Sequence, residues 1–245
     1  MDRIYGINAV SEALKSRGRR FEYVGVARER HDGRVQRVVE ECRQRGIPVR
    51  FVTRDELDRL AHNAPHQGVV AVVSAKEYTD LEDLWTRKRA QHALLVVLDG
   101  VEDPHNLGAI IRTADGAGAD GVVVPERRAV GVTATVAKAS AGATEHVPIA
   151  KVTNLARALE QIKEASLWTV GLDQRAIQLY DDVDYKMDCA LVLGAEGHGL
   201  HDVVRKRCDF LVKIPMAGAV ASLNVSVAAA IVLYEIARQR RRAEP

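Results

Sequence analysis

The sequence predicts an α/β chain in two parts, a small α/β unit followed by a larger one built on a mostly parallel sheet. Three observations predict it. Short β-branched runs alternate with stretches whose apolar residues recur at helical spacing. One long polar stretch, residues 74–91, interrupts that alternation. Beyond it the apolar runs are continuous rather than alternating, as strands buried on both faces must be.

In the first part, Ile7, Val10 and Leu14 share one helical face with Ala9 and Ala13, and residues 21–27 read as a strand. Val35, Val38, Val39 and Cys42 mark a second helix that Gly46 stops, and residues 49–52 form the next strand. Thr53 with Glu56 makes a capping box for a short third helix, and His66-Gln67-Gly68 leads into a strand over 69–73. This unit is expected to span residues 1–74. Residues 75–91 are polar apart from Leu81, Leu84 and Trp85, and read as a linker. The second domain is then 92–245, with strands at 94–98, 121–124, 168–172, 190–193 and 210–214. Helices lie between them, one with Leu155, Ala158, Leu159 and Ile162 on a single face.

A chain of 245 residues can bury a sizeable core, and 47% hydrophobic with 28% charged residues argues against both disorder and a membrane protein. The net charge is only +2, so nucleic-acid binding has to rest on local clusters. Arg17, Arg19 and Arg20 form one and Arg238 to Arg242 another, and both read equally well as solvated faces. Cys42, Cys189 and Cys208 lack CxxC spacing, which fits a reducing compartment and no zinc site. The start has no apolar leader core, and no run reaches the roughly 18 apolar residues of a membrane span. A cytoplasmic protein is expected.

Ligands of open parallel sheets bind beyond the carboxyl ends of the strands, and three loops qualify. The first carries Asn106 at the start of a helix, with Arg112 nearly two turns on. That arginine serves either as a phosphate clamp or as a plain surface residue. The second, Leu193-Gly194-Ala195-Glu196-Gly197-His198-Gly199-Leu200, sets one carboxylate among three glycines. Backbone can approach a ligand closely there, although a tight turn with a solvated glutamate has the same composition. The third runs from Ile214 through Met216 to Ser222, Leu223, Asn224 and Ser226, where a strand ends, a Pro-Met-Ala-Gly loop follows and a helix begins. Three small polar side chains in the first turns of that helix suit a small polar ligand, and suit ordinary capping as well.

Common nucleotide motifs are missing: no G-x-G-x-x-G follows the first strand of either unit, and no G-x-x-x-x-G-K-[ST] occurs. His62 and His66 have no third ligand near in sequence, and Ser222 lies in Val-Ala-Ser-Leu-Asn rather than in a nucleophile elbow. Neither a metal centre nor a serine triad is expected.

In order and spacing, the three loops together resemble the three motifs of the SpoU branch of the SPOUT RNA methyltransferases. Asp103-Pro104-His105-Asn106-Leu107-Gly108 through Arg112 is similar to the first, Leu193 to Gly197 to the second, and Ile214 to Met216 with Ser222 to Ser226 to the third. Tyr5-Gly6-Ile7-Asn8-Ala9-Val10 and His66-Gln67-Gly68-Val69-Val70-Ala71 resemble the family's small substrate-binding domain. Within the family the combination most resembles the enzymes that methylate a guanosine ribose in 23S ribosomal RNA.

The resemblance implies a ribosomal L30e-like substrate-binding domain at the front and a SPOUT domain with a deep trefoil knot behind it. It implies S-adenosylmethionine as cofactor, held by Leu193, Gly194, Ala195, Gly197, Ile214, Met216 and Leu223, with Asn106, Arg112, Glu196, Ser222 and Asn224 as the catalytic set. It also implies an RNA partner and a homodimer through the catalytic domain, with no metal and no membrane. A related ribose methyltransferase acting on transfer RNA or another ribosomal RNA site, or a non-catalytic RNA-binding ribosome-assembly factor on the same fold, are the alternatives.

Overall fold

In the computed structural model, which describes residues 1–16, 18–30, 32–86, 92–127 and 129–241, the chain forms two compact units. One gathers Met1–Glu77 with Val132–His146, the other Tyr78–Gly131 with Val147–Pro245. Arg17, Arg242 and residues 87–91 of the expected linker lie outside the described residues.

In chain order the strands are β1 (Asp2–Tyr5), β2 (Phe21–Ala27), β3 (Val49–Val52), β4 (Val69–Val73), β5 (Leu94–Asp99), β6 (Gly121–Pro125), β7 (Ile149–Val152), β8 (Trp168–Leu172), β9 (Gln178–Leu179), β10 (Cys189–Gly194) and β11 (Phe210–Lys213). The helices are α1 (Ile7–Ser16), α2 (Gly33–Gln44), α3 (Arg54–Leu60), α4 (Asp83–Thr86), α5 (Pro104–Gly116), α6 (Ala134–Ala139), α7 (Leu155–Glu164), α8 (Asp202–Arg205) and α9 (Val225–Arg241).

The first unit is a four-stranded sheet in the order β1-β4-β2-β3, with β4 antiparallel to both neighbours and β2 parallel to β3. The run Val-Val-Ala-Val-Val of β4 is buried along its whole length because apolar side chains cover both of its faces. Val10, Leu14, Val35 and Val38 of α1 and α2 pack on Val69, Ala71 and Val73, while Leu57 of α3 packs with Tyr5 and Val70. Asp32 and Thr53 cap α2 and α3 as small polar residues at a helix mouth should.

Residues 132–146, assigned by sequence to the second domain, pack instead in this first unit. Ala137 of α6 joins the α1 core, and Tyr5 Oη lies 3.1 Å from Thr135 Oγ1. Arg19 fastens the segment. Its Nε and Nη2 donate to the two oxygens of Glu145, both at 3.0 Å, and Nη1 donates to Asp2 Oδ2 and Ser74 O at 3.1 Å. With Arg19 only 5% exposed, its expected role as a phosphate contact gives way to a buried ion pair. Arg20 remains exposed. Replacing Arg19 with alanine strands Glu145 as a buried charge, so it is expected to cost about 3–5 kcal/mol of stability. Urea unfolding of the two proteins checks this, and an unchanged midpoint would refute it.

The second unit is a seven-stranded sheet in the order β7-β6-β5-β10-β8-β11-β9, parallel at every recorded pairing. Its central strands β5 and β10 are buried throughout, which is why their sequences are unbroken apolar runs. The stretch expected as linker is partly built into this unit. Thr79 bridges to Ala150, and Leu84 of α4 is fully buried where a side chain on Gly121 would strike it.

α9 packs along α5, and Arg240 anchors its end by donating to the carbonyls of His92, Ala93, Tyr185 and Met187. Arg238 pairs with Glu235 at 2.6 Å, so two arginines of this basic cluster, Arg238 and Arg240, are engaged within the fold, while Arg241 is exposed. Among the described residues no helix is long and apolar enough to cross a membrane.

Candidate active site

Among the loops that leave the carboxyl edge of the second sheet are those after β5, β8, β10 and β11. Three of them and the start of α9 line a cavity of about 480 Å³. The loop after β10 is the tightest. Ala195 and Gly199 exchange backbone hydrogen bonds at 3.1 and 3.0 Å, folding Glu196 to His198 into a turn, with Gly197 and Gly199 at φ +80° and +68°. Gly194 has to be glycine, because a Cβ there would overlap the carbonyl of Gly199 and the amide of Leu200.

One side of the cavity ends in a hub of three polar side chains. Asn106 Nδ2 donates to Glu196 Oε1 at 2.8 Å, and Asn224 Nδ2 donates to the same oxygen at 2.7 Å and to Asn106 Oδ1 at 3.0 Å. Each partner comes from a different loop. Asn106 sits in the first turn of α5 because Asp103 caps that helix, its side chain accepting from His105 N at 3.1 Å, and Pro104 follows at the first helical position. Asn224 precedes α9 and caps it, its Oδ1 accepting from Ser226 N at 2.8 Å and Ser226 Oγ at 2.6 Å. The capping reading of Asn224 is thus realised by its Oδ1, while its Nδ2 turns to the hub. Ser222, expected in the first turns of the helix, lies in the loop before it, because the cap at Asn224 sets the helix start.

Leu193, Gly194, Ala195, Gly197, Ile214, Met216, Ser222 and Leu223 all line the same cavity with Glu196 and Asn224. Asn106 joins them through the hub, 7% exposed. Arg112 does not: it is exposed on α5 and lines neither this cavity nor the one beside it. The neighbouring hollow, about 560 Å³, reaches Glu196 from the other side and includes Glu102, Asp103, Asn106, His198 and His201.

Some polar groups at the site escaped the sequence reading. Asp173, Gln174 and Arg175 follow β8 and line the cavity, and the strand-end rule that picked the other loops could have found them. The buried Asp99 accepts from His201 N at 2.8 Å and Nδ1 at 3.0 Å, a pairing across 102 positions that no local pattern signals. Hydrogen bonds from the Arg175 guanidinium hold the Asp173 carboxyl below the usual carboxylate range, against its burial, and the charge of Arg205 adds to the effect. A depressed value means that the stabilisation is complete above the ordinary carboxylate range and fades as pH falls through the lowered value. Asp173→Asn is therefore expected to flatten the acid side of the stability curve. Thermal melts of both proteins between pH 3 and 7 check it, and parallel curves would count against it.

Burial pushes the thiols of Cys42 and Cys189 up to about 11 and that of Cys208 up to about 12, so none is a thiolate nucleophile at neutral pH. Among the described residues no group of three or more His, Cys, Asp or Glu side chains could hold a metal ion.

The SpoU rRNA Methylase family model matches residues 93–234, and the model for RNA 2'-O ribose methyltransferase substrate binding matches residues 3–79. YacO of Bacillus subtilis (strain 168), provisionally named a TrmH family tRNA/rRNA methyltransferase, is 48% identical over 98% of this chain and 96% of its own. Among solved structures, the SpoU methyltransferase AviRb from Streptomyces viridochromogenes, in complex with AdoMet, superposes with a TM-score of 0.83 at 27% identity, over 98% of this chain and 91% of its own. An AdoMet-bound rRNA methyltransferase from Sinorhizobium meliloti gives 0.80 at 27% identity, over 100% of this chain and 88% of its own. The chain belongs to the SpoU/TrmH family of RNA methyltransferases.

Proposed function

We propose that the protein transfers a methyl group from S-adenosylmethionine to a ribose 2′-hydroxyl of RNA, and that its target is a guanosine in the peptidyl-transferase region of 23S ribosomal RNA. The observation that carries the chemistry is the Asn106–Glu196–Asn224 hub on the wall of the glycine-lined cavity. The AdoMet complexes of AviRb and the Sinorhizobium meliloti enzyme support the cofactor.

The residues present fit that cofactor. A cavity of about 480 Å³ is of small-ligand size, and Leu193, Ile214, Met216 and Leu223 offer apolar contacts for a purine ring. Side chains added at Gly197 or Gly199 would meet nothing, so backbone faces open space there. Bound in this cavity, S-adenosylmethionine supplies a methyl group activated by its sulfonium charge. The protein's task is to position the ribose hydroxyl and stabilise the charge that develops on its oxygen. Asn106 and Asn224 fix Glu196, which orients the ribose or an arginine, and Ser222 shapes the pocket beside it.

Arg112 clamps the adjacent phosphate and stabilises the developing alkoxide, since a guanidinium keeps its proton. Its exposure on α5, away from the cavity of its own chain, supports a homodimer through the catalytic domain in which each Arg112 completes its partner's site. The flanking of β8 by β10 and β11, with the chain then returning to α9 against α5, supports a trefoil knot in the last third. The front unit, with its mixed sheet, is an L30e-like RNA-binding domain, and the reaction is cytoplasmic.

Labelled methyl transfer to unmodified 23S RNA and to bulk transfer RNA, side by side and followed by mapping, tests the reading. One modified guanosine in 23S RNA is the expected result. Label in transfer RNA alone would overturn the target but keep the chemistry, and label in neither would overturn both.

A further inference from the structure

In the first unit, Arg30, Arg34 and Arg37 line a groove of about 470 Å³ together with Ile7, Asp32, Gly33 and Gln67. We propose that this groove is a docking site for backbone phosphates of the RNA substrate, and that the Gly6-Ile7 and His66-Gln67-Gly68 motifs exist to build its floor. The inference rests on the reading of the chain as an RNA methyltransferase and adds to it a defined contact surface.

The floor is held by unusual backbone. Gln67 has φ +54°, a left-handed conformation that a non-glycine residue adopts only where its surroundings require it. The requirement is visible on both ends of the residue. Its side-chain Oε1 accepts from Ile7 N at 3.1 Å, closing the first turn of α1, and its carbonyl accepts from Arg30 Nη1 at 2.7 Å. His66 sets the turn from below: Nδ1 accepts from Gly68 N at 2.9 Å, and Nε2 lies 3.0 Å from Asp58 Oδ1. Gly68, at φ +82°, leaves room for the Arg30 stem, since a Cβ there would come within 2.5 Å of Arg30 Cδ. Two separated motifs and one arginine thus form a single built surface.

The walls are cationic beyond any structural need. Asp32 is the one carboxylate lining the groove, and it is already paired with Arg30 Nε at 2.9 Å. That leaves the guanidiniums of Arg34 and Arg37, on successive turns of α2, in excess. Among the described residues, the one hydrogen bond from either guanidinium is Arg37 Nε to Gly33 O at 3.3 Å, within their own helix. Within α2 itself no acidic side chain lies in the first turn, and the N-cap Asp32 is already engaged by Arg30 and by the backbone of Arg34 and Val35. Exposed arginines that crowd a concave surface are matched to an anion, and their planar forks suit phosphate oxygens. A chain of phosphodiesters satisfies several such forks at once.

The test uses the full-length protein with Arg34→Ala and Arg37→Ala combined, and Arg43→Glu near the other end of α2 as a charge control. Binding to a 23S RNA fragment is measured across salt, S-adenosylmethionine affinity by calorimetry, and folding by thermal melt. The double variant is expected to bind RNA roughly tenfold more weakly, with the slope of log K against log salt smaller by about 1.5, as the loss of two phosphate contacts requires. Its cofactor affinity, melting temperature and affinity for free guanosine monophosphate should stay at the wild-type values, and Arg43→Glu, outside the groove, should leave RNA affinity and salt slope close to wild type. If the double variant also loses affinity for that mononucleotide, the groove is a nucleotide pocket and the docking proposal falls. Wild-type RNA affinity and slope in the double variant would overturn it outright. Absence of methyl transfer by the wild type would sink the enzymatic reading instead, while leaving the binding comparison interpretable.

Discussion

Arg112→Ala is expected to lower methyl transfer by about 10²–10³-fold, the range found when a group that stabilises developing charge is removed. Cofactor affinity should be unchanged, because Arg112 lies outside the cavity proposed for the cofactor. The decisive form of the experiment mixes two inactive proteins. If each Arg112 serves its partner's cavity, then Arg112→Ala mixed with Glu196→Ala gives dimers with one complete site, and random pairing restores about a quarter of wild-type activity. An arginine acting within its own chain gives no restoration, because every site would then lack one of the two groups. Recovery near zero in a mixture shown to exchange subunits would therefore disprove the shared site.

Gly194→Ala should abolish cofactor binding, raising the dissociation constant by about 100-fold or more. The added methyl group has nowhere to go: it lands on the carbonyl of Gly199 and the amide of Leu200, which are backbone and cannot rotate away. Relief requires opening the paired hydrogen bonds between Ala195 and Gly199, and with them the turn that carries Glu196 to the hub. Calorimetric titration with S-adenosylmethionine reads the loss, and a urea midpoint close to wild type would show that the damage is confined to the loop. An unaltered dissociation constant would mean that this turn does not shape the cofactor site.

Five of the seven strands described in the second unit were legible, the central ones because burial on both faces leaves an unbroken apolar signature, as in residues 94–98 and 190–193, whereas β7 and β9, short and partly exposed, were not. The hub was legible in parts. Asn106, Glu196 and Asn224 each stood in a loop with turn or capping chemistry, but only the fold brings positions 90 and 118 residues apart onto one another. Arg112 illustrates the opposite limit: helical spacing from Asn106 fixes its distance along α5, not whether it turns toward the cavity. Arg19 was misread for a related reason. A cluster of basic residues looks solvated until a distant carboxylate, here Glu145, is brought against one of them.

That same pairing bears on how such a protein can be rearranged. The first unit is written in two places in the chain, Met1–Glu77 and Val132–His146, with the Tyr78–Gly131 part of the second unit between them. A recombination event that exchanged only the front stretch would import a foreign partner for Ala137, Thr135 and Glu145. The incoming stretch would have to supply its own equivalents of Arg19 and Tyr5 at the right depth. Substrate preference in this architecture is therefore not freely interchangeable by shuffling one end of the gene. It has to change by substitutions on the exposed face of the front unit, with the residues that grip the inserted segment held fixed.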